Sequence, residues 1–353
     1  MKVLYAIQGT GNGHLSRARD VIPVLMEKCD LDILISGTQA DVGIPYPVKY
    51  RQTGMSFIFG KKGGVDVWNT YVKSNMKRFR GEIENFPVQD YDLVINDFEP
   101  VSAWACAMRN VPCISLSHQS ALLDKEVPKP AGKNLFGKSV LRYYAPAHQH
   151  VGLHFSRYSN AVYTPVIRRE IRELVPSEKG HYTVYLPSYD EDQIIEVLNA
   201  FPDVEWQVFS KHSSEEKTMR NILIRPVSNT SFIKSMADAR GILCGAGFET
   251  PAEALFLGKK LMVIPMKTQY EQQCNAEALR CMGVPVIPKL RKKHVLRISD
   301  WLSSSYRVHV NYPDITEQII SHTLESVFPK VSAMIHSGSE RIPSLGDLHI
   351  ASR

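Results

Sequence analysis

A chain of 353 residues exceeds what one ordinary core organises, so two domains are expected, and 44% hydrophobic with 22% charged residues is the balance of an ordinary soluble globular protein. The net charge of +6 permits attraction to phosphates or to an anionic lipid surface, but no dense Lys/Arg stripe interleaved with aromatics argues for nucleic acid. The six cysteines, at 29, 106, 113, 244, 274 and 281, form no C-x-x-C pair and fit a reducing compartment; no apolar run is long enough to span a bilayer, and the first breaks at Gln8 and Gly9, so the expected place is cytoplasmic.

Lys2 to Ile7 reads as a buried strand, followed by QGTGNGHLSRA and a helix with the stripe Leu15, Ala18, Val21 or Ile22, and Leu25, which Pro23 is expected to kink or shorten. Glycines 9, 11 and 13 suggest a dinucleotide fingerprint, but His14 stands where its last glycine belongs. Ser36 and Gly37 follow the second strand, Leu31 to Ile35, in place of a ribose-binding acid, so a nicotinamide site is rejected. The D-x-D of Asp30 to Asp32 begins a strand and is read as chance, and no metal is expected. A histidine that removes a hydroxyl proton needs a cleft-edge position and a carboxylate partner. His14 meets the first condition, and Asp97, ending the strand Tyr91 to Asn96, is a candidate for the second, with Glu99 a rival. The plainer alternative makes His14 a helix cap and Asp97 a loop acid.

Two stretches, Gly54 to Phe86 and Leu123 to His150, mix aromatic and basic residues. They include Phe57, Trp68, Lys77, Lys138 and Arg142, and they suit either a solvated helix face or an anionic lipid surface or amphipathic acceptor. Within the second, GKNLFGKS at Gly132 to Ser139 spells the P-loop formula, yet the charged, proline-broken LDKEVPKPA precedes it where a buried strand is needed. An ATP site is therefore rejected. Between the stretches the strand Cys113 to Ser117 ends in His118 and Gln119, which are expected to face the same cleft as His14.

Val151 to Ser156 is the last strand of the first half, and SNAVYTPVIRREI is the expected linker. A second strand–helix series opens at His181 to Leu186, with Ser188 in its turn, and continues through Val204 to Ser210 and Ile222 to Arg225, after which come Val227 and Ser228. Gly241 to Cys244 then leads into the turn Gly245 to Gly247. Thr250 is the expected N-cap, Pro251 the first helical residue, Glu253 lies in the first turn and Gly258 is the stop. Such a helix start suits a phosphate or diphosphate, here through the N–H groups of Gly247, Phe248, Glu249 and Thr250. After the strand Leu261 to Pro265, a polar loop presents Glu271, Gln272 and Gln273 past the strand's carboxyl end. A helix is expected over Asp314 to Val327, and a loosely ordered tail from about Pro329.

GAGFETPAEAL, the VIP strand and EQQCNA, together with GxGHLSRA and NDFEPVSAWACAMRNVPCISLSHQ, resemble the GT-B nucleotide-sugar glycosyltransferases, nearest in pattern to the peptidoglycan N-acetylglucosaminyltransferase and the UDP-glycosyltransferases. The resemblance implies an α/β GT-B fold, two Rossmann-like domains with parallel sheets facing across a cleft, placed at 1–165 (acceptor), 166–328 (nucleotide sugar) and a tail at 329–353. It implies His14 as base with Asp97 as its partner, Glu253 on the ribose hydroxyls, and Glu271, Gln272 or Gln273 on the sugar. It also implies a base-binding loop near Arg225 and Val227, and diphosphate contacts from Ser188, Gly245 and Gly247 with help from Gly11 and Gly13. Gly245 departs from the plant-type histidine and Pro187 from the family's glycine. The implied reaction is inverting, metal-independent transfer from a UDP-sugar, a co-substrate rather than a cofactor, to a hydroxyl acceptor. The candidate acceptors include lipid-linked ones met at the inner face of the cytoplasmic membrane, with His118 and Gln119 as acceptor contacts. A non-hydrolysing UDP-sugar epimerase and a non-catalytic nucleotide-sugar or lipid-binding protein are the alternatives.

Overall fold

The structure is a computed structural model, and the residues it describes are 1–10, 12–37, 43–55, 76–132 and 134–326. They divide into two compact units, one of residues 1–127, 134–168 and 314–326 and the other of 128–132 and 169–313.

The first unit carries β1 (Lys2–Gln8), α1 (Asn12–Lys28), β2 (Asp30–Ser36), β3 (Tyr50–Gln52), α2 (helical residues 76–85), β4 (Leu93–Asp97), α3 (Pro100–Arg109), β5 (Cys113–Ser117), α4 (His118–Ala121), α5 (Leu135–Tyr143), β6 (Gln149–Leu153) and β7 (Val162–Tyr163). Its sheet has seven strands in the order β3-β2-β1-β4-β5-β6-β7, each pair parallel. Strands of such a sheet are covered on both faces and read as unbroken apolar runs. Val3 to Ile7 and Leu93 to Ile95 are fully buried for this reason. α1 passes through Pro23 without being cut, its apolar stripe of Leu15, Ala18, Val21, Ile22 and Leu25 staying buried on both sides of the proline. Packing of that stripe outweighs the lost backbone bond.

The second unit carries α6 (Arg169–Arg172), β8 (Tyr182–Tyr185), α7 (Glu191–Leu198), β9 (Trp206–Ser210), β10 (Lys217–Met219), β11 (Ile222–Pro226), α8 (Asn229–Asp238), β12 (Gly241–Gly245), α9 (Glu249–Phe256), β13 (Lys260–Ile264), α10 (Tyr270–Cys281) and α11 (Val295–Ser303). The order is β10-β11-β9-β8-β12-β13, parallel except for the exposed edge strand β10, which runs antiparallel to β11. Trp206 and Trp301 are buried in its core with Leu243 and Met262. Beside β13, Val286 makes the isolated parallel bridge Val263–Val286.

Two corrections concern the boundaries. The expected linker from Ser159 contains β7, which pairs with β6 through Gly152–Val162 and Leu153–Tyr163, so the first unit extends to Arg168 rather than 165. The last helix, α12 (Thr316–Glu325), belongs to the first unit, not the second, which ends at Pro313 instead of 328. Its buried Ile319, Ile320 and Leu324 explain why, and Lys28 Nζ to Glu317 Oε1 at 3.0 Å and Tyr163 OH to His322 Nδ1 at 2.9 Å fasten it to α1 and β7. The 329–353 tail, Gly11, Lys133 and the aromatic and basic residues of 56–75 lie outside the described residues.

Candidate active site

In the first sheet the strand order reverses between β1 and β4, and ligands of open α/β sheets sit outside the carboxyl ends at such a point. Ile7 pairs with Asp97 in register, so the turn after β1 and the acid ending β4 lie side by side. Gly9 makes the turn possible: its N–H donates to the Ser36 carbonyl at 2.6 Å, and a Cβ there would lie 2.8 Å from Ile35 Cγ2. α1 starts at Asn12, which puts Gly13 and His14 in its first turn and Arg17 on the same face one turn later.

His14 Nδ1 lies 2.8 Å from Asp97 Oδ1. A carboxylate only accepts, so Nδ1 carries a proton, and in the neutral ring the lone pair is then on Nε2. Arg17 Nη2 donates to both Asp97 oxygens, at 2.8 and 2.7 Å, and sits 3.3 Å from His14 Nδ1. Asp97 is fully buried, Arg17 is 2% exposed, and the His14 side chain is 14% exposed. Burial works against the Asp97 charge, but Arg17 and His14 outweigh it and hold the carboxyl below its ordinary value.

Glu99, the rival partner, is assigned elsewhere. Phe98 takes a left-handed φ of 57°, which turns the chain, and Glu99 becomes the N-cap of α3, accepting from Val101 N and Ser102 N at 2.7 Å each and from Ser102 Oγ at 2.6 Å. Asn96 braces that turn, donating to the Glu99 carbonyl at 2.7 Å and accepting from Glu99 N at 3.0 Å. His118 and Gln119 are both buried, and His118 Nδ1 donates to the Leu153 carbonyl at 3.0 Å.

The second sheet reverses order between β8 and β12. Ser188 occupies the exposed turn after β8, and the glycine turn follows β12. α9 begins at Glu249 with Phe248 as its N-cap, so Thr250 is not the cap and Pro251 is not the first helical residue; both lie in the first turn. Phe248 is buried and already close to helical geometry (φ −90°, ψ −52°), and this apolar anchor starts the helix early. No side chain caps it. A Cβ on Gly247 would meet nothing within 4 Å, so Gly247 borders open space, whereas one on Gly245 would make ordinary contact with Gln272 Oε1 at 3.9 Å and the Ile264 carbonyl at 4.0 Å. Glu253 is 2% exposed.

The expected loop holding Glu271, Gln272 and Gln273 is the first turn of α10, not a loop. Buried Cys274, Asn275, Ala278 and Leu279 give this polar segment a packed face and so make it helical. Gln272 Oε1 accepts from Met266 N at 3.0 Å while its Nε2 donates to Gln269 Oε1 at 2.7 Å, and Gln273 Nε2 donates to the Lys267 carbonyl. Both amides therefore brace the segment that precedes them. Arg225 pairs with Glu216, Nε to Oε1 at 2.7 Å, and Val227 is half-buried beside the Ser228 N-cap of α8.

Two residues that sequence reasoning missed join these groups. Arg17 was detectable as the residue three after His14 on a helix. Asn275 is fully buried and donates to the Ala246 carbonyl at 3.1 Å, tying α10 to the glycine turn. The first unit thus brings His14, Asp97 and Arg17 together, and the second brings Gly245, Gly247, Gln272 and Asn275 together. Among the described residues no group of three or more His, Cys, Asp or Glu side chains is placed to hold a metal ion.

The family model described as glycosyl transferase family 1 matches residues 1–304. No curated protein sequence matches the chain. Among solved structures, Arabidopsis thaliana UGT89C1 complexed with UDP aligns at a TM-score of 0.55 and 12% identity, over 99% of this chain and 98% of that one. The same enzyme complexed with UDP-L-rhamnose aligns at 0.56 and 11% identity, over 94% and 95%. The spinosyn rhamnosyltransferase SpnG complexed with spinosyn aglycone aligns at 0.51 and 12% identity, over 96% and 99%. At these identities the likeness is one of fold.

Proposed function

The chain belongs to glycosyl transferase family 1 and is a glycosyltransferase of the GT-B fold, and from that premise we propose that it moves a sugar from a UDP-sugar to an acceptor hydroxyl with inversion and without a metal. The observation that carries the reading is the 2.8 Å bond between His14 and the buried Asp97 at the switch point of the first sheet. Nε2 of His14 takes the acceptor's proton as its oxygen bonds to the anomeric carbon. The bond from that carbon to the diphosphate oxygen breaks, and its electron pair leaves with the diphosphate. Asp97 then faces an imidazolium.

The second unit would hold the donor. The start of α9, which no side chain caps, suits the diphosphate, and open space at Gly247 lets it approach. Glu253 is the choice for the ribose, Glu271 with Gln272 or Gln273 for the sugar, and Ser188, Arg225 and Val227 for the rest of the nucleotide. Gly13, with Gly11, would assist at the diphosphate. His118 and Gln119 are the proposed acceptor contacts. For the acceptor we favour a lipid-linked hydroxyl met at an anionic membrane surface, because α5 exposes Leu135 (70%) and Phe136 (49%) beside the exposed Lys138 and Arg142. No described helix is long and apolar enough to cross a membrane, so that contact would be peripheral.

The test is thermal stability with UDP, with and without EDTA, followed by transfer from radiolabelled UDP-sugars. UDP at a hundredfold its Kd stabilises by about 2.7 kcal/mol, a rise of several degrees that EDTA should leave intact. His14→Ala should keep this rise and lose transfer by about 10²–10⁴-fold. Transfer undiminished in H14A, or no response to UDP, would overturn the reading.

A further inference from the structure

Arg17 has no part in the proton transfer described above, yet its placement is costly. A guanidinium that is 2% exposed has given up its water, and a buried ion pair is seldom kept for stability alone, since apolar replacements often serve as well. Here one helix sends two groups, His14 and Arg17, onto a single fully buried carboxylate, with Arg17 Nη2 spanning both oxygens at 2.8 and 2.7 Å. The guanidinium is always charged, whereas the imidazole is charged only when it holds a second proton.

We propose that Arg17 is a positioning residue that neutralises Asp97 in the resting enzyme, so that His14 waits as an uncharged base and becomes a cation only when the acceptor's proton arrives. The proposal rests on the reading of His14 as that base. Among the described residues, the charged and polar groups around the pair include Asp97 at the end of β4 and, just after it, Glu99, whose carboxylate is turned into the start of α3. From β1 there is the neutral Gln8, which donates to Tyr144 OH at 2.9 Å, and from α1 there is Arg17. Without Arg17 the buried Asp97 charge would be left with the His14 imidazole, and proton uptake by the ring would be the cheapest way to compensate it. A ring already protonated cannot take a proton from a sugar or lipid hydroxyl. Arg17 therefore gives up some support for the imidazolium in exchange for a base that is available at neutral pH.

The test needs no substrate. Imidazole signals in ¹H–¹⁵N spectra of the full chain at about pH 7.5, with His14 assigned by its loss in H14Q, report the charge on the ring. Arg17→Gln should raise the imidazolium fraction of His14 several-fold, and Arg17→Lys should leave it near wild type. The double variant R17Q/D97N, which removes both charges, guards against misfolding of R17Q and should restore the wild-type ring charge. In transfer assays R17Q should move the acid limb of the kcat/KM profile up by about one pH unit or more and recover towards about pH 9, with donor KM unchanged. A merely structural Arg17 would depress the rate equally at every pH and leave the ring signals alone, and either result overturns the proposal. If H14A still transfers sugar, the base assignment itself has failed; if H14A is inactive and R17Q matches wild type in the spectra, only the role of Arg17 has.

Discussion

The two strand-order reversals of this protein are built from opposite materials. Beyond β1 and β4, charge is buried and matched: Arg17 and His14 each bond Asp97 within 2.8 Å. At the second, beyond β12 and its neighbour β13, neutral groups hold main chain: Asn275 on the Ala246 carbonyl and Gln272 on Met266 N, with Gly247 bordering open space. A site that must move a proton needs groups whose charge changes and a frame that tolerates the change. One that grips a diphosphate is served by main-chain N–H groups with nothing in front of them. On the proposed reading, the same α/β edge serves chemistry in one unit and binding in the other.

The comparison breaks first at Asp97. Asp97→Asn keeps the shape but lets the side chain donate as well as accept, so the His14 tautomer is no longer fixed and Arg17 loses its counter-charge. We expect transfer to fall by about 10²–10⁴-fold with UDP affinity unchanged, measured by steady-state rates and by calorimetry. A matching loss of UDP affinity would mean that the two reversals are not divided as argued.

The next largest effect tests the second reversal through its glycines. Gly247→Val adds atoms where a Cβ meets nothing within 4 Å, so the fold should tolerate it and the melting temperature should stay within about 2 °C of wild type. Donor affinity should still drop by about tenfold or more, because the side chain fills the diphosphate's approach. Gly9→Ala is the control. Its Cβ would lie 2.8 Å from Ile35 Cγ2 and 3.2 Å from the Ser36 carbonyl, so it should cost about 1–3 kcal/mol in stability. A normal donor affinity in G247V would remove the glycine turn from the binding site.

Much of this was legible in the sequence, and the parts that were not share a cause. His14 and Asp97 could be paired because parallel strands align their carboxyl ends, a rule that needs only the strand pattern. Arg17 escaped because an arginine on an amphipathic helix is normally a solvated one, although its place three residues after His14 put it on the same helix face. EQQCNA looked like a loop because its polar residues outnumber its apolar ones, yet burial of Cys274 and Asn275 makes it helical. Thr250 fitted the local rule for a cap, and the buried Phe248 overrode it. In each case a local propensity gave way to a tertiary contact.

The smallest effect sets Asp97 against Glu99, two fully buried acids two residues apart whose carboxyls are pushed in opposite directions. Burial raises Glu99, and the hydrogen bonds from Ser102 and Val101 recover only part of that cost. Burial opposes the Asp97 charge too, but Arg17 and His14 reverse the balance. The signs follow by linkage. Asp97, lowered from 3.8, contributes stability that is present above that value and lost as pH falls through its folded value. Glu99, raised from 4.5, contributes stability that is present below that value and lost as pH rises through its folded value. Melting temperatures from about pH 3.5 to pH 8 should therefore give the variants opposite slopes against wild type, with each kcal/mol worth about 2–4 °C. The deficit of D97N should widen as pH rises from the acid end, whereas that of Glu99→Gln should narrow as Glu99 ionises in the wild type. Parallel curves for E99Q would show that the cap at α3 compensates for burial in full, and a narrowing deficit for D97N would show that Arg17 does not hold the Asp97 charge.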